Sequence, residues 1–367
     1  MSIMFKNCTI FNQFITERNL SPKSVASYET SLKNYCQFQE LGLEQLLQEA
    51  DQEEEDGIRL KRRTLKQRLL DYRTYLIDNF SKNTYKTRFG QVVAFYTHFE
   101  IEIPKLPYLN SKAMKISEPI TYDDMLTKEI IADAVTFANP MVGAMILLGA
   151  SSGMGRREIL NLTVKDFLDA CEMPYEEGNI KQTLLEMWKS EEIFIPTFKL
   201  KRQKVNEYYY TFATHEFVEA TVKYLLQSNK PIHSYNQLFD ISDGYFNRTL
   251  QDLNDLLGLG KVGNYNRLRS HMIRKFQATA LKNGAEGMSE EDIDFLQGRS
   301  RGSVRELYMK ENPLVLKEKY VKAMNNVLIF HESKIVEEQT KEIENLQNQL
   351  DYVMSLLNTF DVNMKAL

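Results

Sequence analysis

The stretch Arg267–Tyr308, RLRSHMIRKFQATALKNGAEGMSEEDIDFLQGRSRGSVRELY, constrains this chain more than any other. His271 and Arg274 stand one helical turn apart, so both can address the same ligand atom. An imidazole beside a guanidinium suits a phosphate: the guanidinium takes its oxygens in a fork and the imidazole moves a proton. A helical segment then leads to Gly298-Arg299-Ser300-Arg301, and nine residues past Arg299 comes Tyr308, whose hydroxyl can act as the nucleophile of covalent catalysis.

In order and spacing these residues resemble the C-terminal catalytic motif of the tyrosine recombinases, the phage-integrase family. There a His-x-x-Arg box, a Gly-His or Gly-Trp step and a nucleophilic Tyr follow one another. The resemblance implies Tyr308 as nucleophile, His271 as its general base and Arg274 in a phosphate clamp. Lys275 stands where the family often has His, which gives it a supporting role. Arg299 replaces the His or Trp after Gly298; it can donate to a phosphate oxygen but cannot shuttle a proton near neutral pH.

A second block, Ser151–Leu162 (SSGMGRREILNL), ends an apolar helix on glycines and opens another with arginines in its first turn. Side chains there can meet a phosphate together with the free N–H groups of the helix start. Gly-x-Arg followed by Glu and Leu is similar to the family's first catalytic box, and the spelling looks like its archaeal branch. The common pattern has the arginine three before Glu158, where this chain has Gly155. Arg156 is then the first choice for the clamp, Arg157 the alternate, and Glu158 an orienting carboxylate.

The rest of the chain fits around these boxes. At 367 residues, two domains plus an appendage are expected. Residues 1–110 read as helical: Ser21-Pro22 caps a helix carrying Val25, Tyr28, Leu32 and Tyr35. A second helical region, Leu60 to Phe80, buries Leu65, Leu69, Tyr72 and Leu76, and Ser81 caps a third with Tyr85, Phe89, Val92, Val93 and Tyr96. On pattern alone, a helical bundle with a charged outer face and a DNA clamp are both open; the resemblance implies the family's core-binding (SAM-like) clamp. Ile101–Pro107 breaks the helix, and 111–120 is a linker.

Residues 121–330 form the second, catalytic domain. Thr127 caps a helix through Phe137, and Pro140 starts a buried one. Glu192–Phe212 alternates as a β-hairpin (Ile193, Ile195; then Tyr208, Tyr210, Phe212) with a basic tip. Lysine at a strand edge often only guards against aggregation; the family's hairpin lysine protonates the leaving 5′ oxygen, which implies Lys204 first and Lys201 as alternate. Over 331–367, Val336, Ile343, Leu346, Leu350, Val353, Leu357 and Phe360 suggest a coiled coil or long docking helix. The expected fold class is thus mainly α with a small hairpin.

The formal net charge of −4 speaks against a nucleic-acid partner until its distribution is seen. Eight acids and no bases fill Glu40–Asp56, whereas ten bases against two acids fill Arg59–Arg88, so the total hides basic surfaces. The candidate DNA-contacting cations are Arg62, Arg63, Lys66, Lys82, Lys86, Arg88, Arg202, Arg269 and Arg301. Three cysteines without Cys-x-x-Cys spacing fit a reducing compartment, and no signal run or membrane-length apolar stretch occurs, so a cytoplasmic, nucleoid-associated location is expected.

No phosphate-cradling Gly-x-x-x-x-Gly-Lys loop or metal-ligand spacing stands out, and neither cofactor nor metal is expected. The leading expectation is a site-specific recombinase of a virus or plasmid, assembling as a tetramer on double-stranded DNA. A topoisomerase-like nicking-closing enzyme and a DNA-binding protein that lost turnover are the alternatives. Tyr320 is the fallback nucleophile.

Overall fold

Caps written in the sequence set where the helices begin. The computed structural model describes residues 8–110, 120–202, 207–299 and 312–330, and the chain divides into two units, Met1–Pro119 and Ile120–Leu367. In the first unit, helices run over Thr9–Glu17 (α1), Pro22–Gln39 (α2), Leu43–Glu55 (α3), Thr64–Asn79 (α4) and Lys82–His98 (α5). Ser21 and Ser81 each accept a hydrogen bond from the N–H three residues on, and Pro22 occupies the first position of α2, where its missing donor is not needed. Leu65, Leu69, Tyr72 and Leu76 are buried along α4 as expected. Tyr35 packs edge-on against Tyr72, ring centres 4.8 Å apart.

The acidic run folds as α3 and turns back on the basic block. Glu49 takes Arg68 in a fork at 2.6 and 3.0 Å, and Glu53 accepts the N–H of Thr64 at 2.7 Å, capping α4. Arg63 pairs with Glu54, gives its Nε–H to the Ile58 carbonyl at 3.1 Å, and is only 8% exposed. One expectation is corrected here: Arg63 is an internal tie between α3 and α4, not a surface cation. The helical region expected over Leu60–Phe80 consists of a 3₁₀ turn, Leu60–Arg62, and α4, separated by the extended Arg63. Arg62 and Lys86 are exposed, and Lys66, Lys82 and Arg88 are half-buried.

In the second unit the helices are Lys128–Phe137 (α6), Pro140–Ser152 (α7), Arg156–Asn161 (α8), Val164–Ala170 (α9), Ile180–Lys189 (α10), His215–Gln227 (α11), Asp243–Leu256 (α12), Ser270–Asn283 (α13), Glu290–Leu296 (α14) and Pro313–Ala323 (α15). Thr127 caps α6 and Asn139 caps α7. Helix α7 is buried from Val142 to Ser152 and packs against α6, α11 and α13. Close approach to α13 depends on Gly149: a Cβ there would lie 3.1 Å from Ile273 Cγ2.

Strands β1 (Thr197–Arg202) and β2 (Glu207–Phe212) form the antiparallel hairpin, and β3 (Lys261–Val262) pairs with β4 (Tyr265–Asn266). The hairpin's base is shared: Phe198 joins the core around α7, while Phe212 joins a second cluster with Leu281, Leu296, Leu316 and Tyr320. The inward phase of β2 differs from the expected one. Tyr209 and Thr211 are buried, whereas Tyr208 and Tyr210 lie on the outer face with Lys199 and Lys201. Tyrosine suits either face, so three tyrosines in a row leave the phase undetermined. Among the described residues no helix is long and apolar enough to cross a membrane. Lys204, Arg301, Tyr308 and the helix expected over 331–367 lie outside the described residues, as does the side chain of Arg202.

Candidate active site

The site is assembled at the start of α13. Arg267 anchors the approach, donating to the carbonyls of Asp123, Asp124 and Met125 at 2.7–3.2 Å. Leu268 gives its N–H to Asn254 Oδ1 at 2.9 Å. His271 follows one residue inside the helix, then Arg274 and Lys275. Although His271 stays solvent-accessible, its imidazole is held below its ordinary pKa, first by partial desolvation, then by the positive charges of Lys275, Arg269, Arg274 and Arg299. Four predicted cations therefore lie within electrostatic reach of His271, and together with its partial desolvation they disfavour the charged imidazole.

Arg299 reaches that point from α14 through a glycine turn. Gly298 adopts φ +56°, the Gly298 N–H donates to Phe295 O at 2.8 Å, and the Arg299 N–H donates to Asp294 O at 2.8 Å. This pair of bonds is the Schellman closure, which needs a left-handed residue. The Tyr209 ring also lies against it: a Cβ at position 298 would sit 2.7 Å from Tyr209 Cδ1. Arg299 pairs with Asp294 at 3.1 Å.

Arg274 is gripped from two sides. Its guanidinium donates to the Gln297 carbonyl and lies 3.6 Å from Glu158 Oε2. In return, Gln297 Nε2 donates to the Arg274 carbonyl at 3.0 Å and to Gln277 Oε1 at 2.7 Å. Glu158 is itself occupied, accepting the Gly155 N–H across the first turn of α8. A Cβ at 155 would lie 2.9 Å from Glu158 Oε2 and 3.6 Å from Arg274 Nη1. Glycine at 155 therefore leaves the carboxylate room beside Arg274.

Arg156 turns elsewhere. Its guanidinium is forked on Asp243 of α12 and donates to Asn247, so Arg156 and Arg274 do not form a joint clamp in this arrangement. Arg157 is exposed. Lys201 is exposed on β1 with its ammonium 5.6 Å from the Tyr208 ring centre. Arg269 is half-buried over Tyr265 and donates to the Asn266 carbonyl. The fallback Tyr320 is corrected: fully buried, it donates its hydroxyl to Ser151 O at 3.0 Å, and burial pushes its phenol well above the ordinary range. A phenol that neither ionises nor meets solvent cannot attack DNA.

Sequence reasoning missed Gln277, Gln297, Tyr209 and Asp243. One signal was available: Gln277 stands four residues from both Ile273 and Leu281, on the buried stripe of α13. Also missed was a groove of about 350 Å³ in the first unit, lined by Ser27, Thr30 and Ser31 of α2 and by Asn83, Thr84, Thr87 and Arg88 of α5. Arg88 there is stacked 4.1 Å from the Phe80 ring centre. Among the described residues no three His, Cys, Asp or Glu side chains gather to hold a metal ion.

This two-unit helical architecture with its hairpin is the tyrosine-recombinase fold. The lambda integrase tetramer bound to a Holliday junction superposes with a TM-score of 0.50 at 11% identity, covering 82% of this chain and 75% of that one. The site-specific recombinase XerH bound to difH substrate gives 0.49 at 14% identity, covering 85% and 84%. The Tn1549 transposon integrase in complex with transposon right end DNA gives 0.47 at 16% identity, covering 93% and 99%. No protein-family model and no curated protein matches the sequence.

Proposed function

We propose that this chain is a site-specific DNA recombinase that cleaves and rejoins double-stranded DNA through a 3′-phosphotyrosine, integrating or excising a mobile element of the virus or plasmid kind. One observation carries the reading: at the start of α13 of a recombinase fold, His271 and Arg274 stand one helical turn apart, with Lys275, Arg269 and Arg299 near enough for their charges to disfavour the protonated imidazole. In the proposed reaction the Tyr308 oxygen attacks the scissile phosphorus while His271 accepts its proton. The bond to the 5′ oxygen breaks, and that oxygen takes a proton from Lys204 or Lys201. Arg274 and Arg299 neutralise the added charge of the transition state. Arg156 joins them when a phosphate displaces Asp243. The ester keeps the bond energy, so the freed 5′ hydroxyl of a partner strand reverses the step without a nucleotide cofactor.

Arg62, Lys66, Lys82, Lys86 and Arg88 of the first unit, and Arg202, Arg269 and Arg301 of the second, would each meet the DNA backbone. The hydroxyl-lined groove of α2 and α5 would meet it with them. DNA-bound lambda integrase as a tetramer supports an analogous assembly here. The protein would act on the nucleoid, in the cytoplasm.

A second reading, a DNA-binding protein of this fold with reduced turnover, is favoured by Gly155 and by the engagement of Arg156 with Asp243. A suicide-substrate assay separates the two. Wild type should trap a protease-sensitive covalent adduct on nicked duplex, and Tyr308→Phe should trap none. An adduct from both variants would displace Tyr308 as nucleophile. No adduct from wild type on DNA it binds would favour the second reading.

A further inference from the structure

Two glutamines, Gln277 and Gln297, are both fully buried within the candidate site. Burying amides is costly unless they are paired, and apolar side chains would fill the same space at less expense. Their bonding has one sensible sense. Gln297 must turn Nε2 toward the Arg274 carbonyl, because Oε1 there would set two acceptors against each other. Gln277 then presents Oε1 to the same Nε2. The chain also makes room for the pair. Gly153, at φ +65°, ends α7 directly beneath it, and a Cβ there would lie 2.6 Å from Gln277 Oε1 and 3.0 Å from Gln297 Nε2.

We propose that Gln297, oriented by Gln277, is a positioning residue that sets Arg274 against the reacting phosphate; the inference rests on the recombinase reading. Gln297 is suited to this because two of its groups act on one partner. Its carbonyl receives the Arg274 guanidinium, while its side chain holds the backbone from which that guanidinium springs. Gln297 is also the last residue before the Gly298 turn that delivers Arg299. One buried amide thus ties together both cations, which come from separate helices. Gln277 Nε2 and Gln297 Oε1 find no hydrogen-bond partner among the described residues, so the pair is kept at a cost that an apolar contact filling the same space would not carry.

The test compares wild type, Gln297→Met, Gln277→Met, Arg274→Ala and the Gln297→Met/Arg274→Ala pair in the full chain. The probe is a nicked duplex selected by the protein from a randomised pool, made with either a phosphate or a methylphosphonate at the scissile position. Gln297→Met keeps the volume and removes the donor. Adduct formation on the phosphate should slow by roughly 10- to 100-fold, as expected of a misplaced catalytic group, and Gln277→Met should slow it less. Methylphosphonate carries one charge fewer and needs the guanidinium less, so both losses should shrink on it, as the Arg274→Ala loss does. In the Arg274→Ala background, Gln297→Met should add nothing.

Equal losses on both probes, or a full additional loss in the Arg274→Ala background, would overturn the proposal by showing a general weakening of the fold. If Gln297→Met does not fold, Gln277→Met carries the same comparison. If wild type binds the duplex without forming an adduct, the recombinase reading fails separately. The salt dependence of binding then decides: Gln297→Met should lower the slope as Arg274→Ala does, by about 0.9 for one phosphate contact, and an unchanged slope overturns the proposal. A wild type that binds no duplex overturns both.

Discussion

Arg156 and Asp243 face each other as a fork, Nε to Oδ1 at 2.5 Å and Nη2 to Oδ2 at 3.0 Å, a geometry that a phosphate would reproduce. Removing the charge of Asp243 should therefore release Arg156 to DNA. Asp243→Asn is expected to tighten duplex binding by roughly 3- to 10-fold, about 0.7–1.4 kcal/mol. Stability should change by less than about 1 kcal/mol, since the pair is exposed. Fluorescence anisotropy against salt measures this, and unchanged or weaker binding would make Arg156 a purely structural link between α8 and α12.

Gly298→Ala should be destabilising on two counts. The left-handed backbone alone costs roughly 1–2 kcal/mol for a residue with a Cβ, and the new methyl meets the Tyr209 ring. Urea unfolding of Gly298→Ala with and without Tyr209→Ala separates them: only the steric part should vanish in the double variant.

His271 should titrate below 6.5 in the DNA-free protein, because desolvation and four neighbouring cations disfavour its charged form. The sign for stability follows. The unfolded chain takes up this proton near 6.5 and the folded one only at lower pH, so the contribution is intact above about 6.5 and erodes as pH falls below it. Adduct formation should retain its rate down to the same window. NMR of the imidazole C–H protons checks the first point, and a midpoint above 6.5 would contradict it.

Arg63 and Arg62 are neighbours with opposite expected behaviour. Arg63→Ala leaves Glu54 half-buried without its counter-charge and should cost about 2–3 kcal/mol, below the range for a fully buried pair because Glu54 retains some solvent and the Glu102 N–H. Arg62→Ala should leave the unfolding midpoint in place and weaken DNA binding more as salt is lowered. If Arg63→Ala melts like wild type, the tie between α3 and α4 is not structural.

Tyr320→Phe removes a donor from Ser151 O and should cost about 1–3 kcal/mol, while adduct formation survives. Loss of the adduct in a folded Tyr320→Phe protein would reopen the identity of the nucleophile.

Local signals read well from this sequence because their causes are local. Ser21-Pro22, Ser81, Thr127 and Asn139-Pro140 each cap the helix they precede, and the spacing of Leu65, Leu69, Tyr72 and Leu76 needs only a helical period. His271, Arg274 and Gly298-Arg299 were legible for the same reason, being close in sequence. Helix α3 was harder: Leu43, Leu46 and Ala50 are its buried residues, but seven acids from Glu44 to Asp56 mask them. The direction of Arg156 was illegible because its partner lies 87 residues away. Gln297 looks like a surface residue until Gly153, from a third helix, packs against it, and only Gln277 is marked, by its place on the buried stripe of α13.

Glu216, buried at the start of α11, accepts the N–H groups of Ile329 and Phe330, each at 2.8 Å. A carboxylate with two backbone donors acts as a latch on the chain itself, whatever side chains stand at 329 and 330. It defines a minimum length for the second unit. A protein ending after Phe330 keeps both donors. One ending at Leu328 loses both backbone donors to Glu216 and should unfold more readily than the few lost side chains would suggest.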